Sequence, residues 1–218
     1  MKTLQNITIN PDNAVLVIVD MQNEFCKPGG KIYTETSSRI MPSVISSIRG
    51  LKVRARDAGI PIIYIQGVRT LKEPEFTVFN NFHHIKLGTR AAGIIEDLRP
   101  DQEDTVVKKF CHDPFYKPDL DTILQKLVPD PTRCCAIITG GTIDVCVYHT
   151  VMGFHLRDYW TVVLLDSVYY LNDSDCRRAL EQFSGPAYPN VFLSRSDLIT
   201  ISTKKKMTRP ELKPVESD

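Results

Sequence analysis

Short apolar runs alternate along the chain with stretches whose apolar residues recur every three or four positions. The first run, residues 13–19 (NAVLVIV), reads as a strand and ends in Asp20. Ile40, Val44, Ile48, Leu51 and Ala55 then fall on one face of an amphipathic helix. Gly59 closes that helix, and Pro61 opens a second strand, PIIYI. A connection from Gln66 to about Thr89 follows, with Phe76, Phe79, Phe82, His83 and His84, too long and too aromatic for a bland linker. The pattern then predicts a short helix over about 90–98 and a third strand over 105–108. Leu120, Ile123, Leu124 and Leu127 make the next helix face, and 134–139 the fourth strand. Val147, Val151 and Phe154 mark another helix, and 161–165 a fifth strand. Asp173 or Ser174 is placed to cap a helix with the face Cys176, Ala179, Leu180 and Phe183. A sixth strand is expected at 191–193 and a last helical turn at 197–201.

Strands that are apolar on both faces and alternate with helices imply a parallel sheet covered on both sides. The expectation is therefore one doubly wound α/β domain over 1–218, a three-layer α/β/α sandwich around a six-stranded parallel sheet. Its core runs from about 13 to 200, and 202–218 form a polar, proline-punctuated tail, a flexible end or an oligomer arm.

Composition narrows the classes. The 218 residues are 42% apolar and 24% charged, and 27 basic against 26 acidic side chains leave a net charge of +1. That balance carries no footprint for nucleic acid or an anionic membrane. No apolar run reaches the length of a membrane span, and the opening MKTLQNITIN has no apolar core of a signal peptide. A cytoplasmic protein without a membrane association is expected. The six cysteines contain no Cys-x-x-Cys pair, and Cys134 and Cys135, inside an apolar run, read as small buried hydrophobes.

Open α/β sheets bind ligands beyond the carboxyl ends of their strands. There the first strand offers Asp20, the third Lys108 and Lys109, and the fourth the turn Gly140-Gly141-Thr142 followed by Cys146 at the start of a helix. An acid, a cation and a thiol thus converge on one edge. A helix N-terminus and an ammonium lower a thiol's pKa, which is the expectation for Cys146. A carboxylate in reach can take the thiol proton and return it to a leaving amine. The paired glycines let backbone amides approach a reacting carbonyl. From their places near strand ends, Gln22, Phe25, Phe82, His84, Phe115, Tyr148 and Tyr169 are candidates for the pocket wall, with core packing as the alternative for each. Cys26 and Cys111 follow the first and third strands as small, buried residues, and His149 and His155 read as structural.

With these residues in view, the sequence resembles the isochorismatase-like cysteine hydrolases, a group that includes nicotinamidases, carbamoylsarcosine and ureidoacrylate amidohydrolases and biuret hydrolase. VLVIVDMQNEF (15–25) is similar to the family's strand and Asp-x-Gln motif, HHIKLGTRAAGIIEDLRP (83–100) to its His…Gly-Thr…Leu segment, VVKKFCHDPFYKPDLDTIL (106–124) to its Lys-bearing strand, and ITGGTIDVCVYHT (138–150) to its nucleophile loop. The resemblance spans about 13–200. It implies Asp20 as general acid and base, Lys109 as activator of the thiol and Cys146 as nucleophile. Lys109 is preferred to Lys108 because the family's lysine lies six residues before a phenylalanine, here Phe115. It also implies a cis peptide at Gly141–Thr142, with the Thr142 and Cys146 amides forming an oxyanion hole. His112-Asp113-Pro114 and Ile143 depart from the common pattern, which bears on the substrate. The Asp-x-His pair of metal-binding nicotinamidases has no counterpart in YIQGVRT (64–70), so no metal and no cofactor are expected.

The resulting expectation is a cysteine amidohydrolase for a small amide, ureide or N-carbamoyl compound, with Asp20 also activating the water that hydrolyses the thioester. Its partner is that small molecule and, as a homo-oligomer, its own copies in a dimer or tetramer. Vinyl-ether hydrolysis of the isochorismatase type is a rival that needs no thiol. A non-catalytic relative that binds a metabolite or partner, and a redox-sensing thiol protein, are rivals of another class.

Overall fold

The computed structural model describes residues 2–78, 85–117, 120–128, 130–202 and 210–214. In chain order its strands and helices are β1 (Gln5–Ile9), β2 (Ala14–Val19), α1 (Asn23–Cys26), α2 (Glu35–Asp57), β3 (Ile62–Gly67), α3 (Pro74–Thr77), β4 (Thr105–Lys109), α4 (Leu120–Leu127), β5 (Cys135–Gly141), α5 (Cys146–His155), β6 (Trp160–Tyr169), α6 (Asp173–Phe183), β7 (Val191–Ser194), β8 (Ile199–Ile201) and β9 (Glu211–Pro214). The main sheet has the order β4-β3-β2-β5-β6-β7, and every pair in it is parallel. This is the expected six-stranded parallel sheet.

The unbroken apolar run of β2 follows from its central place. Successive side chains of a strand point to opposite faces. Val15, Val17 and Val19 enter one core with Leu124, Val147, Val151, Phe154 and Phe183, from α4, α5 and α6. Ala14, Leu16 and Ile18 enter the other with Met41, Val44, Ile48, Leu51 and Ala55 of α2. Both faces are therefore dry, and three layers result. α2 begins with a capping box between Thr34 and Ser37 and ends before Gly59, whose φ of +74° suits glycine.

Several boundaries differ from the sequence reading. Residues 90–98 form turns and a 3-10 turn (Glu96–Leu98) instead of a helix. Their carbonyls are taken by the first-strand loop: Asn23 N donates to Gly93 O, Glu24 N to Ala91 O, and the Gln22 side chain to Ala92 O. Those bonds leave no set of acceptors for a helical ladder. The cap of α6 is Asn172, whose Oδ1 accepts from Asp175 N at 2.9 Å, one residue ahead of Asp173 and two ahead of Ser174. The helical turn expected at 197–201 is a 3-10 turn (Ser196–Leu198) followed by β8, which pairs in parallel with β1. β1 itself, from the polar-looking QNITI, was not anticipated, and part of the tail, β9, completes this second, three-stranded sheet antiparallel to β1. Ile7 and Ile9 sink into the α2-side core, and that burial fixes the register. No helix among the described residues is long and apolar enough to cross a membrane.

β5 and β6 position the site. Between Ile138 and Gly140 the pairing of β5 with β6 shifts register, so that Tyr169 comes opposite Gly141. Gly140 has φ of +95°, and a Cβ there would lie 2.0 Å from Val19 O. Backbone packed that closely to backbone cannot yield as a side-chain tip can. Gly140→Ala is expected to lower the unfolding free energy by about 3 kcal/mol or more, from overpacking and a strained φ together, read as a shift of the urea midpoint at unchanged m-value.

Candidate active site

Asp20 follows β2 with φ of 47°, a left-handed conformation that Asp tolerates better than most residues. Its backbone N donates to Ile65 O of the neighbouring strand at 2.9 Å. The carboxylate is 2% exposed and both oxygens are engaged: Oδ1 accepts from Gly67 N at 2.8 Å, and Oδ2 meets Lys109 Nζ at 2.9 Å. Lys109 ends β4 and is 1% exposed, while Lys108 beside it faces solvent, as strand alternation requires. The Lys109 ammonium also donates to His112 O at 3.1 Å. Burial works against its charge, but Asp20 and Cys146 together outweigh burial and hold its pKa above the ordinary lysine range.

Cys146 is the first residue of α5 and lines the same cavity as Asp20 and Lys109, whose charges act on its thiol. The expectation of a lowered pKa is not met. Burial pushes the thiol up to about 12, the Asp20 charge pushes the same way, and Lys109 only partly opposes them. A helix N-terminus acts over the first turn with roughly 0.3–1 kcal/mol in most settings, too little to reverse both. On its outer side the sulfur lies 3.7 Å from His112 Nδ1.

The peptide Gly141–Thr142 is cis. The amides around it are used internally: Ile143 N donates to Tyr169 O, and Val145 N and Val147 N to Thr142 O. No acceptor appears for Thr142 N or Cys146 N among the described residues. Both residues line a cavity of about 290 Å3, with Asp20 and Lys109 at the same wall. Such a volume suits a small molecule.

The expected wall residues divide. Phe25 and Tyr169 line the cavity. Tyr169 is also a fixture of the site: its OH donates to Asp20 O at 3.2 Å, and its ring lies where a Cβ on Gly141 would be, 2.4 Å from Cε1. Gln22 is fully buried but does not reach the cavity. Its Nε2 donates to Gly67 O and Ala92 O, and its Oε1 accepts from Gly67 N, so it clamps the backbone that carries Asp20's partner. Phe115 is a core residue, edge-on to Phe154 and under the Arg157 guanidinium, because Gly153 leaves room for its ring. Tyr148 stacks on Phe183 and is likewise away from the cavity. Phe82 and His84 lie outside the described residues. Cys26, buried beside Met21, has its thiol raised to about 12 by burial, and Cys111 is half-buried with its thiol on Asp113 O. Sequence reasoning missed Ile32, Arg69, Ile85, Val145 and Leu171 as lining residues and treated His112 only as a departure from pattern. Arg69 could have been noticed as a cation two residues past a strand end. Among the described residues no group of three His, Cys, Asp or Glu side chains is arranged to hold a metal ion.

With this geometry established, known proteins give a consistent frame. The model of the isochorismatase domain matches residues 14–192. The ureidoacrylate amidohydrolase RutB of Methylobacterium radiotolerans is 26% identical over 206 residues, covering 82% of this chain and 77% of that protein. Among solved structures, a cysteine hydrolase from Pseudomonas syringae pv. phaseolicola 1448A superposes with a TM-score of 0.74 at 23% identity, over 87% of this chain and 91% of the other. N-carbamoylsarcosine amidase from Thermoplasma acidophilum superposes with a TM-score of 0.69 at 26% identity, over 85% and 97%. A domain match that runs from the first strand of the main sheet to the start of its last makes this chain a member of the isochorismatase family.

Proposed function

We propose that the protein is a cysteine amidohydrolase that cleaves a small amide, ureide or N-carbamoyl compound through a thioester and releases ammonia or an amine. The observation that carries this reading is the meeting of one thiol, one carboxylate and one ammonium at the wall of a single small cavity. The likeness to proteins named for ureidoacrylate and N-carbamoylsarcosine supports the substrate class.

The substrate carbonyl oxygen takes the place offered by the Thr142 and Cys146 amides. Charge that develops there is met by fixed backbone donors that need no reorganisation at the moment of reaction. Asp20 accepts the thiol proton as sulfur attacks the carbonyl carbon, and gives it to the departing nitrogen as the C–N bond breaks. Lys109, paired with Asp20, balances the charge on sulfur. Water then hydrolyses the thioester. The resting thiol, with a pKa of about 12, stays protonated until a substrate arrives, which protects it from unproductive oxidation. Arg69 presents a buried guanidinium on the cavity wall, a donor suited to a carbonyl or carboxylate oxygen elsewhere on the substrate.

Ammonia release across nicotinamide, an N-carbamoyl amino acid, a ureide and biuret tests the reading. At least one should be hydrolysed, and Cys146→Ser and Cys146→Ala should lose at least ~10³-fold in kcat while unfolding at a normal midpoint. Near-normal turnover by Cys146→Ala would rule the mechanism out.

Asp20 and Lys109 act on the thiol with opposite sign, and this gives a second test. Iodoacetamide should alkylate wild-type Cys146 slowly at pH 7, with a rate that still climbs at pH 10. In Asp20→Asn the carboxylate that raises the thiol pKa is gone and Lys109 remains. Alkylation at pH 8 should then be faster, on the order of tenfold for each pKa unit regained. Amide turnover should fall by ~10² or more because the proton acceptor is missing. A variant that loses both reactivities would show that Asp20 only supports the fold.

A further inference from the structure

We propose that His112 is a further catalytic residue, the general base of the hydrolytic half-reaction, an inference that rests on Cys146 being the nucleophile. Its Nδ1 lies 3.7 Å from the Cys146 sulfur, on the cavity side, and the residue is exposed where Asp20 and Lys109 are 2% and 1% exposed. The two halves of the reaction need different things. Cleavage of the amide moves a proton between a buried sulfur and a bound nitrogen, a task within reach of Asp20. Hydrolysis of the thioester needs a base that meets water entering from the mouth. Asp20 is 2% exposed, whereas His112 is exposed and lines the same cavity.

The step balances without any further reagent. Water adds to the thioester carbon, and the C–O bond forms as its proton passes to Nδ1 of the neutral ring. The adduct collapses, the C–S bond breaks and its electron pair stays on sulfur. The imidazolium returns the proton to sulfur through Nδ1, leaving a carboxylic acid product and the free thiol. Lys109 holds this arrangement through the backbone carbonyl of residue 112, so the ring is placed by the same ammonium that pairs with Asp20. Among the described residues, the charged and titratable groups around the ring include Cys146 and His149 of α5 and Lys109 of β4, with Asp20 and Arg69 on the same cavity. His149, with its ring centroid 5.6 Å away, carries its proton on Nδ1, since that atom faces Val145 O at 2.7 Å.

The test uses p-nitrophenyl acetate as an acylating probe, so it does not wait on the natural substrate. Wild type should take one acetyl group on Cys146, seen by intact mass, and release it. His112→Gln and His112→Ala should acetylate at a rate close to wild type but hold the acetyl group about 10²-fold longer. Free imidazole should shorten that lifetime in His112→Ala and leave wild type unchanged, a rescue that a merely structural role would not give. Neither substitution removes the carbonyl that Lys109 uses, so the fold should survive. An acetyl lifetime unchanged in both variants, or lengthened without imidazole rescue, overturns the assignment. No acetyl on Cys146 of wild type, or equal labelling of Cys146→Ser, overturns the nucleophile itself and this inference with it.

Discussion

Two opposite charges lie almost out of reach of water at the carboxyl edge of the sheet. Asp20 and Lys109 meet at 2.9 Å with 2% and 1% of their surfaces exposed. An ion pair so buried is a doubtful source of stability, because desolvation of each charge costs several kcal/mol and the mutual attraction only offsets it when the remaining donors and acceptors are filled. Here they are filled. The second carboxylate oxygen takes Gly67 N, and the ammonium gives another hydrogen to His112 O. These bonds run across β2, β3 and β4, which are neighbours in the sheet. The pair therefore depends on the strand order, and the three strand ends are held in turn by the pair. Gln22 adds a second layer, with its amide on both the N–H and the carbonyl of Gly67.

The same burial sets the state of the nucleophile. Among the forces on Cys146, burial is the largest, the carboxylate reinforces it, and the ammonium is outweighed. The site thus favours a neutral thiol beside an ion pair over a thiolate beside a neutral acid. That preference is useful chemically. The proton that must reach the leaving nitrogen is stored on the attacking atom, one transfer from its carrier, and no net charge has to enter or leave the cavity during the first half-reaction.

Much of the fold was legible because β2, β3 and β5 are central strands, whose both-sided burial gives continuous apolar runs, and because α2 shows its face at regular spacing. The failures share one cause, which is competition for backbone groups from distant segments. Residues 90–98 have a helical look, but Asn23, Glu24 and Gln22 claim their carbonyls. QNITI looks too polar for a strand, yet Ile7 and Ile9 alternate into the core while its two edges pair with β8 and β9 from the far end of the chain. The fifth strand, expected over 161–165, runs on to Tyr169 through the polar Asp166 and Ser167. Asp166 accepts from Ser196 N and Ser167 meets Ser47, so polar residues are satisfied inside the strand.

At the site, what could be read was what backbone geometry dictates. Strand ends place Asp20, Lys109 and the turn before Cys146, and alternation lets only one of Lys108 and Lys109 face the site, the choice of Lys109 coming from the family resemblance. What could not be read was which long side chain bends into the cavity. Phe115 and Tyr148 stand near strand ends, but Gly153 and Phe183 offer them better packing, and burial of an aromatic ring in a core outweighs a place on a wet wall. The wall is instead built from Ile32, Arg69, Ile85 and Leu171, residues of connecting segments whose backbones carry no period and whose directions follow from contacts far along the chain. Reaction chemistry is thus held by the sheet, which the sequence pattern encodes strongly. Substrate choice is held by loops, where each residue's orientation follows from packing and not from its position in a repeat, so relatives with one proton-transfer apparatus can act on different amides without any change in the sheet that carries it.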